Sequence, residues 1–182
     1  MKPGDVVDVT VTYLEMLEPP QAPAPPAPAG VEVRTLVSVP AAVYRRLYGA
    51  VGRDWHWVDR HALSDAELEA QVNDPDVEID VLEVDGAEAG YAELDRRTPG
   101  EIRVVYFGLA PGFIGRGLGT WFLRWTVERA WSWQPRRVHL DTCTLDHPRA
   151  LGNYEAAGFR RYETKVRPVT IQPTVAAPRA GA

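Results

Sequence analysis

Long apolar runs are missing from this 182-residue chain: no stretch approaches the roughly 18 consecutive apolar residues that a membrane-spanning helix needs. The opening Met1-Lys2-Pro3-Gly4-Asp5 also lacks the apolar core of a secretory signal, so the sequence reads as soluble and cytoplasmic, with no membrane partner. Cysteine is nearly absent. Cys143 stands alone, which excludes an intrachain disulfide framework and a multi-cysteine site, and no metal is expected. Lysine is scarce as well, with only Lys2 and Lys165 beside 18 arginines, a bias that carries no functional reading. No internal repeat appears. The 15 glycines and 16 prolines are too few and too irregular for collagen, and a 45% hydrophobic content excludes a wholly disordered chain. What remains is one globular domain with appendages.

The charge is unevenly placed. A formal −5 speaks against a nucleic-acid partner, but residues 1–100 hold 19 acids and 8 bases, and residues 101–182 hold 6 acids and 12 bases. The first part should prefer cationic partners and the second anionic ones.

Val7, Val9, Val11 and Tyr13 alternate with Asp8, Thr10 and Thr12, the pattern of a half-buried strand, and Pro19 to Gly30 then holds six prolines among alanines, the composition of an extended strap. From Val31 the punctuation becomes regular. A strand over Val31–Val39 is followed by a helix opened by Pro40 and running to Gly49, then by the aromatic loop Trp55-His56-Trp57. Ser64 and Glu67 form a capping-box signature for a helix to about Val72. Strands over Ile79–Val84, Ala89–Leu94 and Ile102–Leu109 make a meander; a Gly-rich turn leads into a long helix ending near Pro135. A strand over Val138–Thr144, a helix from Pro148 to Gly158 and a strand over Tyr162–Val166 complete the pattern, ahead of a Pro/Ala/Gly-rich end. These shifts divide the chain into an N-terminal strand (1–18), a linker (19–30), an α/β domain (31–168) and a flexible tail (169–182). The fold class is α/β, a mixed, mostly antiparallel sheet flanked by helices on both faces. The N-terminal strand ahead of its strap packs either in cis or in trans, which leaves strand exchange, and so a homodimer, open.

The most specific local feature is Pro111-Gly112-Phe113-Ile114-Gly115-Arg116-Gly117-Leu118-Gly119-Thr120, where a strand hands over to a helix. Glycines at alternate positions let successive backbone N–H groups point at one anion, and the helix N-terminus adds its dipole: a phosphate cradle. Arg116, with Arg124 and Arg129 on the following helix, would supplement it. A dinucleotide site is the rival, with Asp141 at the end of the next strand as its ribose acid. It fails on the Gly-x-Gly-x-Gly spacing, the antiparallel meander before it and the short chain after it.

Phe107-Gly108-Leu109, the Gly-Arg-Gly-Leu-Gly turn, Ala150 and Tyr154-Glu155-Ala156-Ala157-Gly158-Phe159 together resemble the GNAT superfamily of acyl-CoA-dependent N-acetyltransferases, over roughly Val31 to Arg167. The resemblance implies acetyl-CoA as co-substrate, its pyrophosphate on the backbone of Ile114, Gly115, Arg116, Gly117, Leu118, Gly119 and Thr120. Ile114 stands where the family usually has Gln or Arg. It implies that Phe107, Gly108 and Leu109 pair with the pantetheine arm and that Tyr154 is the general acid. His147, in place of a usual asparagine, would hold the same arm or cap the helix. The family's base glutamate is replaced by Arg103, which leaves Glu93 and Glu101 as candidates, each equally able to be a surface ion-pair partner; Glu93 with Arg103 is one such pair. A His147–Asp146 pair and Cys143 nucleophilic chemistry are discounted, because Cys143 and His147 lie on different elements.

Trp55, Trp57 and Asp59 are candidates for the acceptor, since aromatic rings flanked by acids suit a cation. Trp121, Trp125, Trp131 and Trp133 read as core. The function that follows is acetyl transfer to a primary amine of a small cationic molecule by direct attack on the thioester. A peptide or protein N-acetyltransferase and a non-catalytic acyl-CoA sensor stand as alternatives.

Overall fold

The computed structural model describes residues 2–171. Strand β1 (Val6–Met16) leads through the proline strap to β2 (Val31–Thr35). Helix α1 (Ala41–Gly52) starts after Pro40 and buries Tyr44, Leu47, Tyr48 and Val51 at helical spacing; it outruns the expected end at Gly49. Helix α2 (Asp65–Val72) carries the capping box in full, the Ser64 hydroxyl accepting from the Glu67 N–H and the Glu67 carboxylate accepting from the Ser64 N–H. Then come β3 (Val77–Val84), β4 (Ala87–Asp95), β5 (Glu101–Leu109), α3 (Leu118–Trp131), β6 (Arg137–Cys143), α4 (Ala150–Ala156) and β7 (Arg160–Thr170).

β2 is shorter than expected. After Thr35 the backbone turns, Ser38 takes a left-handed φ of 53°, and the Val39 N–H bonds the Asn73 side chain instead of a strand. Val169 and Thr170, expected in the tail, close β7 opposite Val7 and Val6. The rest of that tail, 172–182, lies outside the described residues.

The seven strands form one sheet in the order β2-β3-β4-β5-β6-β1-β7, antiparallel throughout except for β5 beside β6. β1 folds back on its own chain and fills the place between β6 and β7, with Val11 opposite Cys143 on one side and Lys165 on the other. The strand is half-buried as expected, with Val9 and Val11 buried on one parity and Leu14 and Met16 on the other, because a bulge between Tyr13 and Leu14 shifts the alternation by one residue beside the buried Thr12. The strap lies along α3: the Trp121 indole N–H donates to the Pro25 carbonyl (2.9 Å) and Arg124 to the Pro23 carbonyl (3.3 Å). Helices α1 and α2 pack on one face over Ile79, Val81 and Tyr91; α3 and α4 pack on the other over Leu94, Ile102, Val104, Val138 and Leu140. Each fully buried Leu or Ile in these layers contributes about 1.5–3 kcal/mol.

Candidate active site

The sheet opens where β5 and β6 part. Their parallel pairing holds for three positions only, Glu101 to Arg103 opposite Arg137 to His139, and Val105 then bulges out of the β4 register between the pairs Leu94–Val104 and Glu93–Tyr106. The bulge turns β5 away, so from Val104 to Leu109 its edge has no strand beside it. A cavity of about 690 Å³ occupies this fork. Its walls are β5, the end of β6 with the loop to α4, the Gly-rich turn, and the Trp55–Arg60 loop. Phe107, Gly108 and Leu109 all line it. Gly108 is required where it stands: a side-chain carbon there would meet Val51 Cγ1 at 2.5 Å, so only glycine lets α1 lie this close to the strand.

The Gly-rich turn closes one end. A short 3-10 turn over Pro111–Phe113 precedes it, and Gly115 and Gly117 take left-handed φ values of 83° and 78°, a backbone that brings successive N–H groups to one side. Around both glycines the space a side chain would fill is open. The N–H groups of Gly115 to Thr120 meet no backbone acceptor among the described residues, as the start of α3 demands. The Ile114 N–H differs: it is spent on the Pro111 carbonyl at 3.3 Å, and the side chain is partly exposed. Arg116 reaches over the Phe113 ring at 5.5 Å and stays by the turn. Arg124 and Arg129 do not join it; the first bonds the strap, and the second makes a paired contact with Glu78 at 2.7 Å.

Tyr154 lines the fork from α4, its ring edge-on to Phe107 and Phe159. Burial raises its hydroxyl pKa, and the carboxylates of Asp146 and Asp141 raise it further, so it is a protonated donor at neutral pH. His147 also lines the cavity; its Nδ1 accepts the Arg149 N–H at 3.1 Å and so fixes the turn into α4. Asp146 is fully engaged, Oδ2 accepting from the Thr142 hydroxyl (2.7 Å) and the Cys143 N–H (2.8 Å), and Oδ1 facing the Trp57 indole N–H at 3.5 Å. It orients no histidine. Burial and the same Asp146 push the Cys143 thiol up, away from the thiolate that nucleophilic chemistry needs.

On the other side, Trp55, Trp57 and Asp59 all border the cavity, yet the loop is not extended: a 3-10 turn over Arg53–Trp55 is followed by His56 at φ 56°. The two tryptophans therefore face different neighbours. Trp55 stands edge-on to His147 at 5.1 Å, and Trp57 packs among Tyr48 and Tyr106. Trp121, Trp125, Trp131 and Trp133 stay out of the cavity lining, although Trp133 lies beyond α3 and stacks with Arg96 and Arg129.

Neither candidate glutamate reaches the cavity wall. Glu101 sits at the closed end of the fork, with Arg137 at 3.3 Å and His139 at 3.5 Å. Glu93 is buried beside Tyr106, its partner across β4 and β5, and its carboxylate receives the Arg60 guanidinium and the Tyr44 hydroxyl. Burial raises the Glu93 pKa, while Arg60 and Tyr44 oppose the rise. Arg60, absent from the sequence reading, forms part of the cavity wall and places its charge over Tyr106 at 5.4 Å. The expected Glu93–Arg103 pair does not form, because β4 register sets Asp95 opposite Arg103, and Arg103 bonds Asp141 across the fork at 2.8 Å. Among the described residues no group of three or more His, Cys, Asp or Glu stands together as metal ligands, and no helix is long and apolar enough to cross a membrane.

Residues 44–159 match the model of the acetyltransferase (GNAT) family. The chain belongs to this family. No curated protein matches this chain. Among solved structures it is similar to a GCN5-related N-acetyltransferase from Sphaerobacter thermophilus, at 24% identity and a TM-score of 0.64, over 97% of this chain and 55% of that one. It is similar also to an aminoglycoside acetyltransferase from an uncultured soil metagenomic sample (10% identity, TM-score 0.58, 71% and 88% covered). A third is the IAA acetyltransferase of Bacillus cereus (20%, 0.53, 73% and 79%). At these identities the likeness carries the fold, and this chain spans little more than half of the Sphaerobacter protein. The co-substrate general to GNAT enzymes is acetyl-CoA. The fork suits such a molecule: open space and unpaired N–H groups at the Gly-rich turn for phosphates, and an unpaired strand edge for an extended amide arm.

Proposed function

We propose that this GNAT acyltransferase is an acetyl-CoA-dependent N-acetyltransferase that acetylates a primary amine of a small cationic molecule by direct attack on the thioester. The observation that carries the reading is one cavity joining the phosphate-binding turn, the free edge of β5 and the protonated Tyr154 hydroxyl. Acetyl-CoA, when bound, supplies an activated acyl group. The turn from Gly115 to Thr120 holds its phosphates by backbone N–H groups, and Phe107 to Leu109 order its arm along β5. Tyr154 gives its proton to the departing sulfur. The rings of Trp55 and Trp57 and the carboxylate of Asp59 meet the acceptor, whose charge they suit.

Steady-state thiol release from acetyl-CoA with a panel of primary amines tests this. Turnover is expected with cationic amines, and Tyr154→Phe should reduce kcat about 100-fold, the lower range for loss of a general acid, with coenzyme affinity unchanged. Tight acetyl-CoA binding without turnover for any amine would instead favour a sensor, the reading that the arginine at position 103 encourages.

A further inference from the structure

Four carboxylates belong to the cavity wall: Asp59, Asp95, Asp141 and Asp146. They are not equally free. Both oxygens of Asp95 are taken by Arg97, and both of Asp146 are engaged as described. Asp59 lies exposed at the rim. Asp141 is different. It sits on β6 two residues past His139, the last position paired with β5, and so at the point where the strands part. Its Oδ1 holds the Arg103 guanidinium across the gap at 2.8 Å, and Oδ2 has no hydrogen-bond partner among the described residues. It is half-buried, with a side chain 30% exposed, and its charge is felt by the Tyr154 hydroxyl.

The geometry points to Asp141 as the catalytic carboxylate of the acceptor side, standing on β6 and opposite the arginine that replaces the expected β5 acid. The inference rests on the N-acetyltransferase reading. An acceptor arriving as R–NH3+ is drawn to the free Oδ2 and loses one proton there, directly or through an ordered water. The amine lone pair then forms the C–N bond to the thioester carbonyl carbon. The C–S bond breaks toward sulfur, which takes the Tyr154 proton. The second nitrogen proton restores Tyr154, and the one on Asp141 passes to solvent, so amide, free thiol and one proton leave. Arg103 is a positioning residue: it fixes one carboxylate oxygen and leaves the other pointing for use. The charged and titratable groups around Asp141 are Arg103 on β5, Asp95 on β4 opposite it, His139 on β6, Tyr13 opposite on β1, Asp146 in the following loop and Tyr154 on α4.

Asp141→Asn keeps the shape and the Oδ1 contact. With a primary amine it should lower kcat/KM about 100-fold near neutral pH, with the deficit shrinking as pH rises and more acceptor arrives unprotonated. With hydroxylamine, which is unprotonated at neutral pH, the loss should be several-fold smaller. Asp141→Glu should recover part of the amine activity, and acetyl-CoA affinity by calorimetry should match the wild type in both variants. Equal losses for the two nucleophiles, wild-type activity in Asp141→Asn, or a loss of acetyl-CoA affinity would overturn the assignment. A wild-type protein inert toward both nucleophiles would overturn the N-acetyltransferase reading itself, and Asp141's role with it.

Discussion

The two ends of the fork are built from opposite materials. The Gly-rich end is almost bare backbone: left-handed glycines, unpaired N–H groups and open space where side chains would be. The Trp55–Arg60 end is crowded with side chains, Trp57 among Tyr48 and Tyr106, and the Arg60 charge locked to Glu93. A backbone site of this kind suits phosphate whatever the rest of the ligand, and tolerates change in side chains such as Ile114. A side-chain site reads one ligand in particular and fails when one group is removed.

Removing Arg60 strikes the crowded end hardest. Arg60→Met leaves Glu93 buried without its cation and should cost about 3–5 kcal/mol in urea or thermal unfolding. The sign with pH is fixed by Glu93, whose pKa burial already raises. With Arg60 gone it rises further, so the folded state gains from protonation: the deficit is smallest below about pH 4, near the unfolded carboxylate value, and grows as pH climbs through the folded one. A deficit independent of pH would show that Glu93 is not the group left stranded. At the bare end, Gly117→Val forces a branched side chain into φ 78°, and the strain of about 1–2 kcal/mol should appear as roughly tenfold weaker acetyl-CoA binding with the acceptor KM unchanged. Smallest is Trp55→Ala, which removes a ring from the acceptor wall at the cost of about 1 kcal/mol, so the acceptor KM should rise several-fold while coenzyme binding holds. If the acceptor KM moved with Gly117→Val, or coenzyme affinity with Trp55→Ala, the two ends would not be separate sites.

The bare end was legible in the sequence because it is local. Ten consecutive residues carry the turn, and the Ser64–Glu67 cap, the meander and the α3 pattern are local in the same way. The crowded end was not. Whether Glu93 or Glu101 faces the cleft depends on register, and the bulge at Val105 changes which residues meet across β4 and β5. Arg60 and Glu93 are 33 residues apart with nothing in either neighbourhood to pair them. Asp141 was visible only as the acid of a dinucleotide site that the fold excludes; its link to Arg103 across 38 residues needed the parting of β5 and β6. Helix position alone groups Arg124 and Arg129 with the Gly-rich turn, whereas their side-chain contacts go to the strap and to Glu78.

The place of β1 also has a bearing on time. Thr10 bonds the Thr144 side chain 134 residues along the chain, and the β7 partners of β1 come later still. During synthesis, Val6–Met16 is made long before either neighbour exists, and its apolar residues wait unpaired until the C-terminal strand is complete. Contacts this distant close slowly, since the chain entropy must be surrendered before the pairing repays it. The α1–α2–β3–β4–β5 portion can gather first, and the Tyr154 side of the fork, anchored through β6 and Phe159 to Leu14 and Met16, acquires its final shape last.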